Sequence, residues 1–248
     1  MLKPSDFFDL DGFEFRSIFD NVDNVWEVLS QVGRFALEYI TSVDGDSTVK
    51  GVIMPGAYVD DVHAVVIGEG TVVEPGAFVQ GPAIIGRNCQ IRHGAYIRGH
   101  VVIGNNCIVG HSTELKNCIM MDTSQAPHFA YVGDSILGRG VNLGSGTVLS
   151  NVPISSSKDP ETGKRPSIKV NIEGTTYDTG LVKFGAVIGD YTQTGCNVVT
   201  NPATLLGKNC LIYPGTSVKK GYYPPNKILK LRQEVSVVER YQLTQSRR

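Results

Sequence analysis

Ten apolar residues recur at every sixth position, without a miss, from Ile67 to Met121. They are Ile67, Val73, Val79, Ile85, Ile91, Ile97, Ile103, Val109, Leu115 and Met121. A step of six is too long for one face of a helix and too regular for a sandwich. Four residues after nearly every one stands a small or β-branched residue, as at Thr71, Ala77, Ala83, Cys89 and Ala95. A repeat this short predicts a solenoid, in which each unit buries its apolar side only against its neighbours. The expected fold is mainly β, and residues distant in the chain become neighbours in space.

The series starts near Gly51, runs to Met121 and then slips, continuing as Val132-Gly133, Leu137-Gly138, Leu143-Gly144 and Leu149. Residues 152–184 break it. The run from Ser155 to Pro166 is polar and turn-rich, which predicts a projecting loop, and a long loop interrupting a regular scaffold is more often functional than idle. Ile168–Ile172 with Thr175–Tyr177 is expected to form a small hairpin. The series resumes at Ile188, Thr194, Thr200, Leu206, Ile212 and Val218, and Pro224-Pro225 is expected to end it. The chain therefore divides into an N-terminal helical cap (1–50), a β-helix (51–223) carrying the inserted loop 152–184, and a C-terminal helix (224–248). In the cap, Asp20, Asn21 and Asp23 offer N-capping side chains. Trp26, Val28, Leu29, Val32, Phe35, Ala36 and Tyr39 follow a helical period, predicting a helix over about residues 22–40 that packs on or caps the open end of the solenoid. Ile228, Leu231, Val235, Val238 and Tyr241 predict an amphipathic helix from Lys227 to about Leu243.

With 23 Lys and Arg against 24 Asp and Glu the net charge is -1, which implies no nucleic-acid-binding surface. No window approaches the roughly 20 apolar residues of a membrane span, and Met1–Asp6 lacks an apolar signal region. The simplest expectation is a cytoplasmic protein with no membrane partner. Cys89, Cys107, Cys118, Cys196 and Cys210 form no C-x-x-C pair, so neither a zinc knuckle nor a redox motif is suggested. Four of them fall in step with the repeat and read as small buried side chains.

The position after each repeat aliphatic is usually glycine, but it is charged at Glu74, Arg92, Arg98, Lys116 and Asp122. Arg98 and Lys116 are separated by three repeats, so they stack if three repeats make one coil. Two stacked cations repel unless an anion lies beside them, and arginine binds phosphate bidentately. The pair is either a phosphate site or a solvated corner with local carboxylates such as Glu114. His93 and His111 share that spacing and read as a polar ladder rather than a metal pair. His128 lies where the repeat slips; it is a candidate general base or a plain surface histidine.

Residues 114–151 read Glu-Leu-Lys, then Pro-His-Phe-Ala-Tyr-Val-Gly-Asp, then Val-Asn-Leu-Gly-Ser-Gly-Thr, then Ser-Asn. This resembles the acetyltransferase domain of the bifunctional enzymes that make UDP-N-acetylglucosamine, and of their archaeal sugar-1-phosphate relatives. Their signature pairs His-x-x-Tyr-x-Gly-Asp with Asn-x-Gly-Ala-Gly-Thr, where Ser145 here replaces the alanine. The aliphatic–glycine–small pattern likewise resembles the hexapeptide repeat. The resemblance implies a single-stranded left-handed parallel β-helix, three repeats to a triangular coil, and a homotrimer with sites between subunits. It also implies His128 as catalytic base, Asn142 beside it in the reaction, and Arg98, Lys116, Tyr131 and Asn151 as substrate-binding residues. Val152 departs from the tyrosine that bacterial members carry after that asparagine. Lys169–Ile172 and Lys183–Gly189 look more like the archaeal branch. The resemblance spans roughly residues 51–220. Residues 1–50 are too few for the nucleotidyltransferase domain that such enzymes usually carry.

The reaction implied is acetyl transfer from acetyl-CoA, as co-substrate, to the amine of a sugar-1-phosphate such as glucosamine-1-phosphate. Asn142 would orient His128 or the amine, and Arg98 and Lys116 would hold the phosphate. A backbone N–H near Gly144-Ser145-Gly146 would polarise the thioester carbonyl. Lys183, Lys208, Lys219 and Lys220 would accept the pantetheine arm and phosphates of CoA. No metal is required. A rival on the same fold, a zinc hydratase like the γ-type carbonic anhydrases, needs a His-x-x-x-x-His pair, which the spacings of 7, 11 and 17 between His93, His100, His111 and His128 do not offer. The rival of another class is a non-catalytic sugar-nucleotide-binding scaffold or regulator that kept the site.

Overall fold

The computed structural model describes residues 2–43 and 48–239. From Val52 onward the chain winds into a parallel β-helix with three flat faces. One coil shows the plan: Gln90–Ile91 lies on the first face, Tyr96–Arg98 on the second and Val101–Ile103 on the third. Each strand pairs in parallel with its counterpart in the coils before and after, so nine strands line the first face. Two long strands, Glu114–Met120 and Tyr131–Leu137, bend around the corner and join the second face to the third.

The six-residue series forms the lumen. Ile67, Val73, Val79, Ile85, Ile91, Ile97, Ile103, Val109 and Leu115 are each fully buried within one continuous core. The tenth member differs: Met120, paired with Ile103, takes the lumen position, and Met121 packs outside the third face. The cause lies one corner earlier. Two residues, Gly99 and His100, turn the corner between Arg98 and Val101, whereas Asn117 alone turns it between Lys116 and Cys118. The coils that follow are therefore shorter by a single position: Gln90 pairs with Ile108, but Ile108 pairs with Gln125, and Gln125 with Asn142. The next partner in this row, Gln193, lies much farther along the chain because the insertion intervenes. That insertion carries an antiparallel hairpin, Lys169–Ile172 with Thr175–Asp178, as expected. The series after it returns to the lumen at Ile188, Leu206, Ile212 and Val218.

The N-terminal segment lies along the flank of the third face, where the sequence suggested the open end. Outward residues of that face are aliphatic: Ile84, Val102, Ile119, Ile136, Val187 and Leu205 are all buried. Phe7, Phe8, Phe13, Phe15 and Trp26 cover them, together with Ile168, Val170 and Phe184 from the insertion. Burying this apolar row explains the placement. The expected helix over 22–40 is two elements, a 3-10 helix Val25–Ser30 and an α-helix Val32–Ser42. Asp20 and Asn21 do not cap it. Asn24 holds the cap position of the first piece with no side-chain cap bond. Gly33 lets the α-helix approach the solenoid, because a Cβ there would stand 3.0 Å from the His100 ring. Trp26 is 1% exposed and meets Tyr177 and Phe184 with ring centroids 6.1 and 6.4 Å away. Replacing it with alanine is expected to cost about 3–5 kcal/mol, read as a fall in the denaturant midpoint at unchanged secondary structure.

The C-terminal expectations need correction. Pro224-Pro225 does not end the series, since Ile228–Leu229 adds a further strand against Leu211–Ile212. Among the described residues after it, to 239, there is no helix. Lys227 and Leu229 satisfy their carbonyls on the solenoid edge, accepting from the Leu211 and Tyr213 N–H groups. Leu231, Val235 and Val238 find no core and stay exposed, and a short helix without a packed face is marginal in water. The part of the predicted helix beyond residue 239, Tyr241 included, lies outside the described residues.

Candidate functional site

Stacked coils turn corners into columns. At the corner between the first and second faces His111 pairs with His128, and His93 precedes them, so the register runs His93, His111, His128, Ser145 and then the exposed Cys196. The His93 and His111 rings stack at 5.7 Å and 11°. Their Nδ1 atoms lie 2.6 and 3.2 Å from the carbonyl oxygens of Pro75 and His93. A ring nitrogen facing a carbonyl must donate, so these two form the expected ladder. His128 differs: it is exposed, and its ring has no hydrogen-bond partner among the described residues.

Beside it, Gly144 N–H donates to Thr194 and Gly146 N–H to the His128 carbonyl (3.1 Å). Of the three N–H groups in Gly144-Ser145-Gly146, only that of Ser145 is without a partner among the described residues. Asn142 stands on the first face between Gln125 and Gln193. It is three residues along the strand from Ser145, roughly 10 Å, and no hydrogen bond joins it to His128. Within one chain, then, Asn142 does not orient the ring.

The other end of the second face holds the cations. Tyr96 and Ile97 pair with Glu114 and Leu115, which sets Arg98 beside Lys116 as the spacing predicted. Each cation has a carboxylate. Arg98 donates to Glu114 at 2.6 Å, and Lys116 Nζ reaches both oxygens of Asp134 at 3.1 Å. Asp134 is 4% exposed and also accepts from Asn117 Nδ2 (2.9 Å) and Asn151 Nδ2 (2.6 Å). Asn151 Nδ2 further donates to the Tyr131 hydroxyl at 3.1 Å. The Tyr131 ring lies over Gly133, where any Cβ would collide with its hydroxyl. Burial, then the charges of Asp134 and Glu114, push the Tyr131 phenol above its ordinary value, so it stays a neutral donor. Burial drives the neighbouring Cys118 thiol up as well, and it is inert.

The structure thus joins Lys116, Tyr131 and Asn151 through Asp134, sets the Arg98–Glu114 pair beside them, and keeps His128 with Ser145 at the opposite corner of the same face. It does not gather the lysines. Lys219 and Lys220 follow Asn201 and Pro202 on the cation corner, where Lys220 and Asn201 line a groove of about 380 Å³ at the base of the insertion. Lys183 precedes Phe184, whose N–H donates to the Asn151 carbonyl. Lys208 turns the third corner, on the far side. Asp134 is the residue to which the sequence reading gave no role. Its signal was a spacing of 17: Asn117, Asp134 and Asn151 occupy one corner in three successive coils.

The chain matches the family described as GMPPB C-terminal domain over residues 79–159. It is 36% identical over 107 residues to a bifunctional sugar-1-phosphate nucleotidylyltransferase/acetyltransferase of Sulfurisphaera tokodaii, covering 43% of this chain and 24% of that protein. It is 34% identical over 205 residues to the bifunctional protein GlmU of Methanococcus maripaludis, covering 82% and 45%. The chain therefore spans less than half the length of these relatives. Among solved structures, the UDP-N-acetylglucosamine acyltransferase of Francisella novicida overlays with a TM-score of 0.34 at 18% identity, over 69% of this chain and 59% of that one. The repeat and the parallel solenoid define a hexapeptide-repeat β-helix. Within that class the chain resembles the acetyltransferase domain of the bifunctional sugar-1-phosphate enzymes.

Proposed function

We propose that this chain transfers an acetyl group from acetyl-CoA to the amine of a sugar-1-phosphate, with glucosamine-1-phosphate as the first candidate. The observation that carries this reading is the layout of the second face. An imidazole and a backbone N–H with no partner among the described residues stand at one end, and an ordered set of cations, amide and phenol stands at the other. Arg98 and Lys116 draw the phosphate, Tyr131 and Asn151 fix the sugar, and His128 meets the amine. As the amine nitrogen attacks the thioester carbonyl, His128 takes its proton. The tetrahedral oxyanion is met by the Ser145 N–H. Collapse expels the CoA thiolate, which takes the proton from the imidazolium. Asn142, on the first face, serves the substrate amine or the acetyl group rather than His128. Lys183 and Lys219, by the cation corner, and Lys208, at the third corner, meet CoA phosphates only if copies of the chain associate, which fits a homotrimer with shared sites.

Mass spectrometry of glucosamine-1-phosphate and galactosamine-1-phosphate after incubation with acetyl-CoA tests the proposal. An N-acetylated sugar supports it. Binding of both ligands with no product would favour a non-catalytic scaffold instead.

A further inference from the structure

Residues 2–43 carry no part of the proposed reaction, yet they touch its substrate network at one point. Asn117 turns its corner alone, with φ +45. Its side-chain amide has two donor hydrogens. One goes to Asp134 Oδ1 at 2.9 Å and the other to the Leu29 carbonyl at 3.3 Å. Leu29 belongs to the 3-10 helix Val25–Ser30, which is pinned by Trp26 against Tyr177 and Phe184 of the insertion. Phe184 in turn donates its N–H to the Asn151 carbonyl at 2.9 Å. The Asp134 carboxylate thus sits between two amides, each tied to a segment outside the solenoid: Asn117 to the N-terminal strap and Asn151 to the insertion. The coil shortening that displaces Met121 from the lumen is what brings Asn117 into this position.

We propose that the N-terminal strap is a positioning element of the acceptor site, acting through Asn117 on Asp134 and so on Lys116 and Asn151. The proposal rests on the reading in which Lys116 and Asn151 bind the acceptor. Asn117 touches no reacting atom. It holds the carboxylate that holds the lysine, and its second hydrogen keeps that arrangement in step with the strap.

Asn117→Gly is the cleanest variant, because glycine accepts the left-handed backbone and only the amide is lost. Asn117→Asp keeps the shape, removes both donors and sets a second carboxylate against Asp134. Two measurements need no turnover. The rate at which an amine-acylating reagent modifies Lys116, read by peptide mass spectrometry, is expected to rise several-fold in both variants. Hydrogen exchange over residues 25–30 is expected to quicken in both. With acetyl-CoA and the amino-sugar phosphate, the acceptor KM is expected to rise about tenfold, the scale of one charge-assisted hydrogen bond, at unchanged acetyl-CoA KM. Lys116 modification at the wild-type rate in both variants would overturn the proposal, and so would equal rises in both KM values. A wild-type enzyme that acetylates no amino-sugar phosphate would overturn the proposed reaction instead, and the modification and exchange rates would still decide whether the strap orders Lys116.

Discussion

With His128 replaced by alanine, acetyl transfer is expected to fall by at least about a hundredfold, the lower bound for losing a positioned general base, while the protein melts as the wild type does. Both halves follow from the surroundings of the ring. It is exposed and makes no hydrogen bond among the described residues, so its removal leaves no cavity and strands no donor. Only its backbone is structural, since the His128 carbonyl accepts from Gly146 N–H, and alanine keeps that bond. Because the cation network lies at the other end of the face, the acceptor KM should stay within about twofold, the signature of an interaction made in the transition state rather than the ground state. Comparable losses in the His93→Ala variant would contradict the assignment, since the His93 ring is engaged in the ladder. Initial rates and a thermal melt on the two variants decide it.

Asp134→Asn is expected to act through binding and stability together. The carboxylate is almost fully buried and accepts from Lys116, Asn117 and Asn151 at once. Asparagine keeps its shape and its left-handed backbone (φ +47). What changes is charge: Lys116 loses its counter-ion, and one end of the new amide faces other donors. Breaking a buried pair costs about 3–5 kcal/mol. The Lys116 side chain is 25% exposed, so water relieves part of that and the expected loss is about 2–3 kcal/mol. The acceptor specificity constant should fall by about tenfold or more as Lys116 and Asn151 lose their common anchor. Denaturant unfolding and steady-state kinetics read the two effects separately. An unchanged midpoint would mean that the carboxylate is idle.

Much of this fold was legible in the sequence because one physical constraint repeats. A lumen closed by three sides selects a buried, mostly aliphatic residue at each sixth position, so Ile67 through Leu115 announce the coils and their stacking. The stacking of Arg98 with Lys116 and the His93–His111 ladder followed from the same arithmetic once three repeats made one coil, which the family resemblance implies. Where the period changed, the arithmetic failed. Holding to a constant coil length hid the column of Asn117, Asp134 and Asn151, and with it the hub of the site. The N-terminal strap was misplaced because its binding row, one residue before each lumen aliphatic of the third face, is as apolar as the lumen itself. Ile84-Ile85 and Val102-Ile103 look alike along the chain, although the first of each pair faces out and the second in. The C-terminal pattern failed for a different reason: a helical period stabilises a helix only where something covers its apolar side. His128 and Asn142 both carried the family pattern, yet no pattern along the chain states that one stands at a corner and the other on the first face.

The most direct test of the account is the initial rate of CoA-thiol release from acetyl-CoA, measured with and without glucosamine-1-phosphate, for the wild type and for His128→Ala. The account predicts release that requires the amino sugar and disappears with the imidazole. Release by the wild type at the same rate without the sugar, or by the alanine variant at the wild-type rate with it, would contradict a sugar-directed acetyl transfer based on His128.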